Sequence, residues 1–344
     1  MNYKITNIVA RFLLLMISIN VYAESSSTLP AQAVTPHFYL FSQSEHPRNL
    51  WSIAGILRNE QDEPYAFSFN VYRQQKTYQV VAALINMTEK KLVWQKTESV
   101  TLSESSEQIE QVGGFFWHFS PINSSLILGY QDNNTQIFNL KLDLLEPTPI
   151  TQTSSLTKNL KFNQYWSGRI NGHLNINNTE QFVTSDNAWL QQIWQNQTNL
   201  NHSFQGILCK FQDGSAMFAI QLPEKQAIHA ALAGKYDHLG QRQSISQFMN
   251  IAPPENQGHY DIVLAKNKET LNLNSIFTTN HLEIYLGHIN QNQQEGFCLY
   301  QKNPWPSLTS VQPTKPNDTF LSKTFAFTKK PFKIPFNLKN KSTL

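Results

Sequence analysis

From Ala188 to Gln195 the chain reads Ala-Trp-Leu-Gln-Gln-Ile-Trp-Gln, two adjacent amides framed by two tryptophans. In a strand, neighbouring residues face opposite ways. Trp189, Gln191 and Ile193 then share one face, and Ala188, Leu190, Gln192 and Trp194 share the other. The second set has the make-up of a ligand-pocket wall, one polar group among apolar ones. The alternative is that Trp189 and Trp194 are plain packing residues. The chemistry open to such a wall is binding, because an amide donates and accepts hydrogen bonds but has no proton to give near neutral pH. A second candidate is Arg73, at the end of Tyr-Ala-Phe-Ser-Phe-Asn-Val-Tyr-Arg from Tyr65. There Phe67, Phe69, Val71 and Arg73 fall on one face and Ala66, Ser68, Asn70 and Tyr72 on the other. Arg73 is either a polar anchor inside a cavity or a rim residue reaching outward.

Other chemistries find less support. No Gly-x-Ser-x-Gly string occurs, and Ser-His-Asp partners cannot be chosen by spacing. The 10 histidines show no His-Glu-x-x-His spacing. Two cysteines, Cys209 and Cys298, are too few for a cysteine-based zinc framework. They fit either one disulfide in an exported chain or two buried thiols. No metal and no cofactor is expected. A net charge of +3 carries no basic bias of the kind that nucleic-acid binding needs.

The elements that must position these residues are strands. The chain is 40% hydrophobic and 12% aromatic but only 15% charged, a balance that suits strands and turns. No run keeps a 3.6-residue period over three turns. Leu50–Arg58, Tyr65–Arg73, Tyr78–Asn86, Leu92–Val100, Gly114–Ser120, Leu126–Gln131 and Gln136–Leu144 follow one another at sandwich or barrel spacing. Ser203–Phe211 and Ser215–Leu222 form a hairpin about Asp213-Gly214, a pair that favours a type I′ turn. On its return arm Ala216, Phe218, Ile220 and Leu222 share one face. Ala227–Tyr236, Tyr260–Lys266, His281–Asn290 and Gly296–Gln301 are further strands. A chain of 344 residues suggests about two domains at ~150 residues each. The Pro/Thr/Ser-rich stretch Glu146–Leu160 is the expected boundary.

The two ends read differently. Lys4 and Arg11, the short apolar run Phe12–Ile19 and Val21-Tyr22-Ala23 compose a signal peptide over residues 1–23. A polar linker follows over 24–40. This predicts a secreted or periplasmic protein. The tail over 306–344 interleaves seven lysines with Phe320, Phe325, Phe327, Phe332 and Phe336. It reads as a poorly ordered terminus or a strand packed on the body, or as a segment in contact with an anionic membrane surface.

Several of these stretches resemble the AttH-like secreted proteins and their carotenoid 1,2-hydratase (hydroxyneurosporene synthase) relatives. Tyr165-Trp166-Ser167, Gly172, Trp189-Leu190, Trp194 and Phe211-Gln212-Asp213-Gly214 stand where that family carries Tyr-Tyr-Ser, a glycine hairpin, Trp-Leu-Asp-His-x-Trp-Gly and Leu-x-Asp-Gly. Upstream, Trp51, Gly55 and Arg73 match an opening Glu-Trp-Trp-Tyr-x-x-Gly and a strand ending Phe-Phe-Arg. Glu283 and Gly287 fit the closing hairpin loosely. The resemblance implies an all-β chain of two tandem lipocalin-like β-barrels, one over 41–150 and one over 161–305. It also marks departures. The family's Asp-His pair is Gln191-Gln192 here, its terminal Gly is Gln195, its opening carboxylate is Asn49, and a histidine of the next strand is missing from Val80–Asn86.

The expectation is an exported protein that binds an apolar small molecule, a lipid or isoprenoid, without turning it over, in the service of an envelope transport system. Trp51, Arg73, Tyr165, Leu190, Gln191, Gln192 and Trp194 are the candidate ligand-binding residues. The alternative is a hydratase, isomerase or hydrolase-like enzyme on an apolar substrate, with acid groups such as Asp186 or Glu283 in place of the missing pair.

Overall fold

The computed structural model describes residues 47–102, 109–120, 122–133, 135–144, 154–155, 159–195, 204–222, 231–239, 242–246, 251–252, 259–264, 267–279, 282–289 and 294–302. The expected signal peptide, the linker and the tail lie outside them. Every regular element among the described residues is a strand.

The first sheet uses β1 (Arg48–Asn59), β2 (Pro64–Gln74), β3 (Thr77–Asn86), β4 (Lys91–Thr101), β5 (Gln111–Val112), β6 (Phe115–Ser120), β7 (Ser125–Asp132), β8 (Thr135–Leu144), β9 (Ser154–Ser155), β10 (Leu160–Ile176) and β11 (Thr179–Gln195). These eleven strands run in the order β4-β3-β2-β1-β11-β10-β8-β7-β6-β5, with β9 on the flank of β10. The sheet curls into a barrel whose interior is filled by rings. Phe69 meets Phe115, Trp117 and Phe138 edge-on at centroid distances of 5.7, 6.2 and 6.4 Å. Trp94 reaches Tyr130 and Phe138 at 5.1 and 5.4 Å. Such offset and perpendicular pairs are the arrangements that aromatic quadrupoles favour.

The barrel's seam is closed by a side chain. The Glu98 carboxylate on β4 accepts the Gly114 N–H at 2.6 Å and the Tyr130 hydroxyl at 3.2 Å. Gly113 holds φ at +57°, and a Cβ there would fall on that carboxylate. Glycine meets both demands at once, positive φ and close approach of backbone to an acid.

The second sheet uses β12 (Gln205–Phe211), β13 (Ala216–Gln221), β14 (Ala231–Tyr236), β15 (Arg242–Ser246), β16 (Ile251–Ala252), β17 (His259–Leu264), β18 (Asn267–Thr278), β19 (Leu282–Ile289) and β20 (Gln294–Lys302). Its order is β15-β14-β13-β12-β20-β19-β18-β17-β16. Cys209 and Cys298 face each other in register across β12 and β20 and form a disulfide, with an S–S distance of 2.04 Å. Of the two readings left open by the sequence, the bond is the one realised.

The two sheets pack face to face. Leu50, Ala54, Ile56, Ala66 and Tyr72 from the barrel's outer face join Phe204, Leu208, Phe218, Ile220 and Leu299 in one buried cluster. The opposite parity of the same strands, Trp51, Ile53, Leu57, Phe67, Phe69 and Val71, belongs to the barrel interior. β1, β2 and β3 are therefore covered on both faces, and only Arg58, Pro64, Arg73 and Gln79 among their residues are partly exposed.

Two expectations change. Lys161 was to open the second barrel, yet β10 and β11 pair with β8 and β1 of the first. The passage from one sheet to the other falls between Gln195 and Phe204. Alternation identifies a strand's faces, whereas the partner is set by distant register such as Ser52 opposite Gln191. The Asp213-Gly214 hairpin is not type I′ either. Only Gly214 has positive φ, +87°, and its N–H returns to Phe211 O at 3.0 Å. The Asp213 carboxylate binds the Ser215 N–H at 2.9 Å, which gives the loop its shape. Among the described residues, a turn with both central residues at positive φ is Asn177-Asn178, at +52° and +61° between β10 and β11, as a type I′ turn requires.

Candidate functional site

The Leu190, Gln192 and Trp194 face of Ala188–Gln195 turns to the barrel side. Register builds it in tiers. At the end where β1 begins, Trp194, Asn49, Arg73 and Tyr78 lie side by side on β11, β1, β2 and β3. One tier deeper come Asn163, Gln192, Trp51, Val71 and Val80. Below them are Leu190, Ile53, Phe69 and Ala82, where the ring-filled core begins. Trp51 and Leu190 are buried, Trp194 is 8% exposed, and Gln192 is half-buried.

Three amides meet on this wall. Gln192 Nε2 donates to Asn49 Oδ1 at 3.4 Å, with Asn49 itself buried. Asn163, opposite Gln192 on β10, has a buried Oδ1 with no protein partner. The positions that the family resemblance equates with a carboxylate and with an acid pair are thus in contact, and both carry amides.

Arg73 resolves as a rim residue. Its Nε donates to Gln75 O at 3.0 Å in the β2–β3 turn, and its guanidinium sits 5.6 Å from the Tyr78 ring centroid. Burial pushes the Tyr78 phenol upward, with the Arg73 charge opposing it. Gln191 points the other way, into the layer between the sheets, where its Oε1 accepts from Gln164 Nε2 at 3.0 Å. Tyr165 stands opposite Leu190 along the backbone, and its side chain lies outside the described residues. The structure therefore brings Trp51, Leu190, Gln192 and Trp194 together with Arg73 at the rim, and it separates Gln191 from them.

The stand-in acids are elsewhere. Asp186 is 86% exposed beside Arg169 at 3.8 Å. Glu283 accepts the Tyr285 hydroxyl on the second sheet. The acid that shares the tier of Gln192 and Trp51 is one the motifs did not single out. Glu98 lies opposite Val80 on the barrel side, but its oxygens are committed to Gly114 and Tyr130 at the seam. The Gly113-Gly114 pair was its only sequence signal.

The architecture defines an all-β protein of lipocalin-like build, a closed barrel with a second sheet packed on it. No family model matches the chain, and no curated protein does. Solved structures do. A Nitrosomonas europaea protein described as an AttH superposes with a TM-score of 0.52 at 12% identity, over 75% of this chain and 93% of that one. Kievitone hydratase from Nectria haematococca superposes with a TM-score of 0.57 at 10% identity, over 74% of this chain and 88% of that one. The fold is that of the AttH-type and hydratase proteins, as the sequence resemblance implied.

Proposed function

We propose that this protein is an exported carrier that binds an apolar molecule bearing a neutral polar group, a lipid or isoprenoid, at the β1–β11 end of its barrel, and does not transform it. The observation that carries this reading is the wall itself. Trp51, Leu190 and Trp194 neighbour Asn49, Gln192 and Asn163, and Asn163 Oδ1 is a buried acceptor with no protein partner among the described residues. A site of this kind rewards a ligand hydroxyl, because an unmet buried acceptor is costly. Rings fill the barrel below Leu190, so the ligand lies across the mouth and does not thread the barrel. Delivery to an envelope transport system is part of the proposal, by analogy with the AttH-type fold.

Organic extraction of the purified protein followed by mass spectrometry is the test. The expected result is one enriched lipid or isoprenoid alcohol, retained less well by Trp194→Ala. Recovery of no apolar molecule defeats the carrier reading. The competing reading takes its support from the likeness to a protein named kievitone hydratase. Sustained hydration of an alkene by the unaltered protein establishes that reading instead.

A further inference from the structure

On the face of the barrel opposite to that wall, a second polar group has no account in the protein. Ser68 and Asn70 are two residues apart on β2 and both point into the layer between the sheets. They are 1% and 0% exposed. Ser68 Oγ, Asn70 Oδ1 and Asn70 Nδ2 are all buried without a hydrogen-bond partner. Since both amide atoms of Asn70 are unmatched, turning the amide over changes nothing. Three such atoms on one strand face, at about 1–3 kcal/mol each, call for a partner.

The neighbours across the strands are mostly short. Ser68 has Ala54 on β1 and Ala83 on β3 as its in-register neighbours, and Asn70 has Ser52 and Val81. Ala54, Ala83 and Ser52 have short side chains, and all are buried. Ser52, in register with Asn70, has its own partner, since its Oγ accepts Gln301 Nε2 from the second sheet at 2.8 Å. Gln301 in turn stands opposite Gly206, a residue without a side chain. Residues i and i+2 of a strand are about 6.5–7 Å apart, a span that one oxygen bridges with a hydrogen bond to each side chain.

We propose that Ser68 and Asn70 form an enclosed binding site for one hydroxyl-bearing occupant between the sheets. The O–H belongs to an ordered water or to an alcohol group on an apolar molecule. Both donate to Asn70 Oδ1 and accept from Asn70 Nδ2 or the Ser68 hydroxyl, and a buried water needs two to four such partners. The site lies on the far side of β2 from Trp194 and stands whether or not the barrel mouth carries a ligand.

The test is nuclear magnetic resonance of the ¹⁵N-labelled full chain together with solvent extraction. A water cross-relaxation signal on the Asn70 side-chain NH₂, absent in Ser68→Ala, establishes the site with water as occupant. An extractable alcohol recovered from the unaltered protein and from Trp194→Ala, but lost from Asn70→Ser, establishes it with an alcohol. Ser68→Ala removes a single oxygen between two alanines and so retains the packing. If neither water contact nor alcohol is found, the proposal is overturned.

Discussion

The barrel interior and the layer between the sheets are built from the same three strands and solve opposite problems. Inside the barrel, Trp51, Phe67, Phe69 and Val71 belong to a cluster rich in aromatic rings, and hydrogen-bonded polar groups stand at the mouth, at the seam and at the far end beside Tyr65. Outside it, short and polar residues alternate with apolar ones, and Asn70, Ser52, Gln191 and Gln164 form a row across β2, β1, β11 and β10. The interior is stabilised by ring packing, which tolerates apolar substitution as long as volume and patterning are kept. The outer layer is more exacting, because each buried amide must meet its partner or an occupant. One parity of a strand thus gives stability, and the other fixes how the second sheet docks.

Phe69→Ala is the strongest way to break this division. Removing the ring at the centre of the aromatic cluster is expected to cost about 3–5 kcal/mol, read as a lower denaturant midpoint. Because β1–β3 belong to both layers, the loss should appear in one transition. Separate unfolding of the second sheet at its original midpoint would show that the layers are independent.

Next in size is the seam. Glu98→Ala leaves the Gly114 N–H and the Tyr130 hydroxyl without their acceptor, at about 1–3 kcal/mol for each group that stays buried. Hydrogen exchange should quicken in β4, β5 and β6 and stay unchanged in β12–β20. Faster exchange throughout the chain would mean that the seam is not a local closure.

A smaller effect is expected from Gln301→Ala, which removes the bond to Ser52, at about 1 kcal/mol. Its signature is loosened docking with the barrel intact. Chemical-shift changes should gather at Ser52, Asn70 and Gly206, and the ring contacts about Phe69 should hold.

The weakest handle is pH, which acts at the far end of β1. Hydrogen bonds from Tyr65, Asn86 and Asn59 hold the Glu63 carboxyl below its ordinary value. A depressed acid contributes stability above its unfolded value, near 4.3, and loses it as pH falls through the folded one. Burial and Glu63 push the Tyr65 phenol up to about 12. That contribution is complete below about 10 and is lost as pH rises to about 12. Glu63→Gln should flatten the acid limb of a stability–pH curve while leaving the pH dependence of the Trp194 surroundings unchanged.

Much of this was readable in the sequence at the level of faces. The split of Tyr65–Arg73 into two sets, and of Trp189, Gln191 and Ile193 from Leu190, Gln192 and Trp194, follows from alternation alone and is what the structure has. Partnership was not readable. Nothing local to Leu160–Gln195 states that it belongs with Arg48–Asn59, since that pairing depends on contacts more than a hundred residues apart. Glu98 escaped notice because Lys-Leu-Val-Trp-Gln-Lys-Thr-Glu-Ser-Val-Thr reads as a solvated strand. Its carboxylate gains a role only when Gly114 arrives from the other edge of the sheet. Ser68 and Asn70 were visible as sharing the face opposite Phe67 and Phe69, but their isolation depends on the alanines beside them and the sheet packed over them.

The pairing of β12 with β20 has a consequence for the order of events as the chain is made. These are the first and last strands of the second sheet, 89 residues apart at the disulfide, and they lie side by side at its middle. While the chain emerges from its N-terminus, β12–β15 can form a meander, but its Gln205–Phe211 edge stays unpaired until Gln294–Lys302 appears. A nascent edge of Ile207, Leu208 and Cys209 is an invitation to pair with other chains. Completion of the sheet and pairing of the thiols are therefore late, near-simultaneous steps. Once joined, the loop they enclose restricts the unfolded chain by an amount on the order of 4–5 kcal/mol in the chain-entropy account. A chain stopped before Cys298 would present that open edge and a lone thiol together, so that truncation and aggregation are coupled by the topology itself.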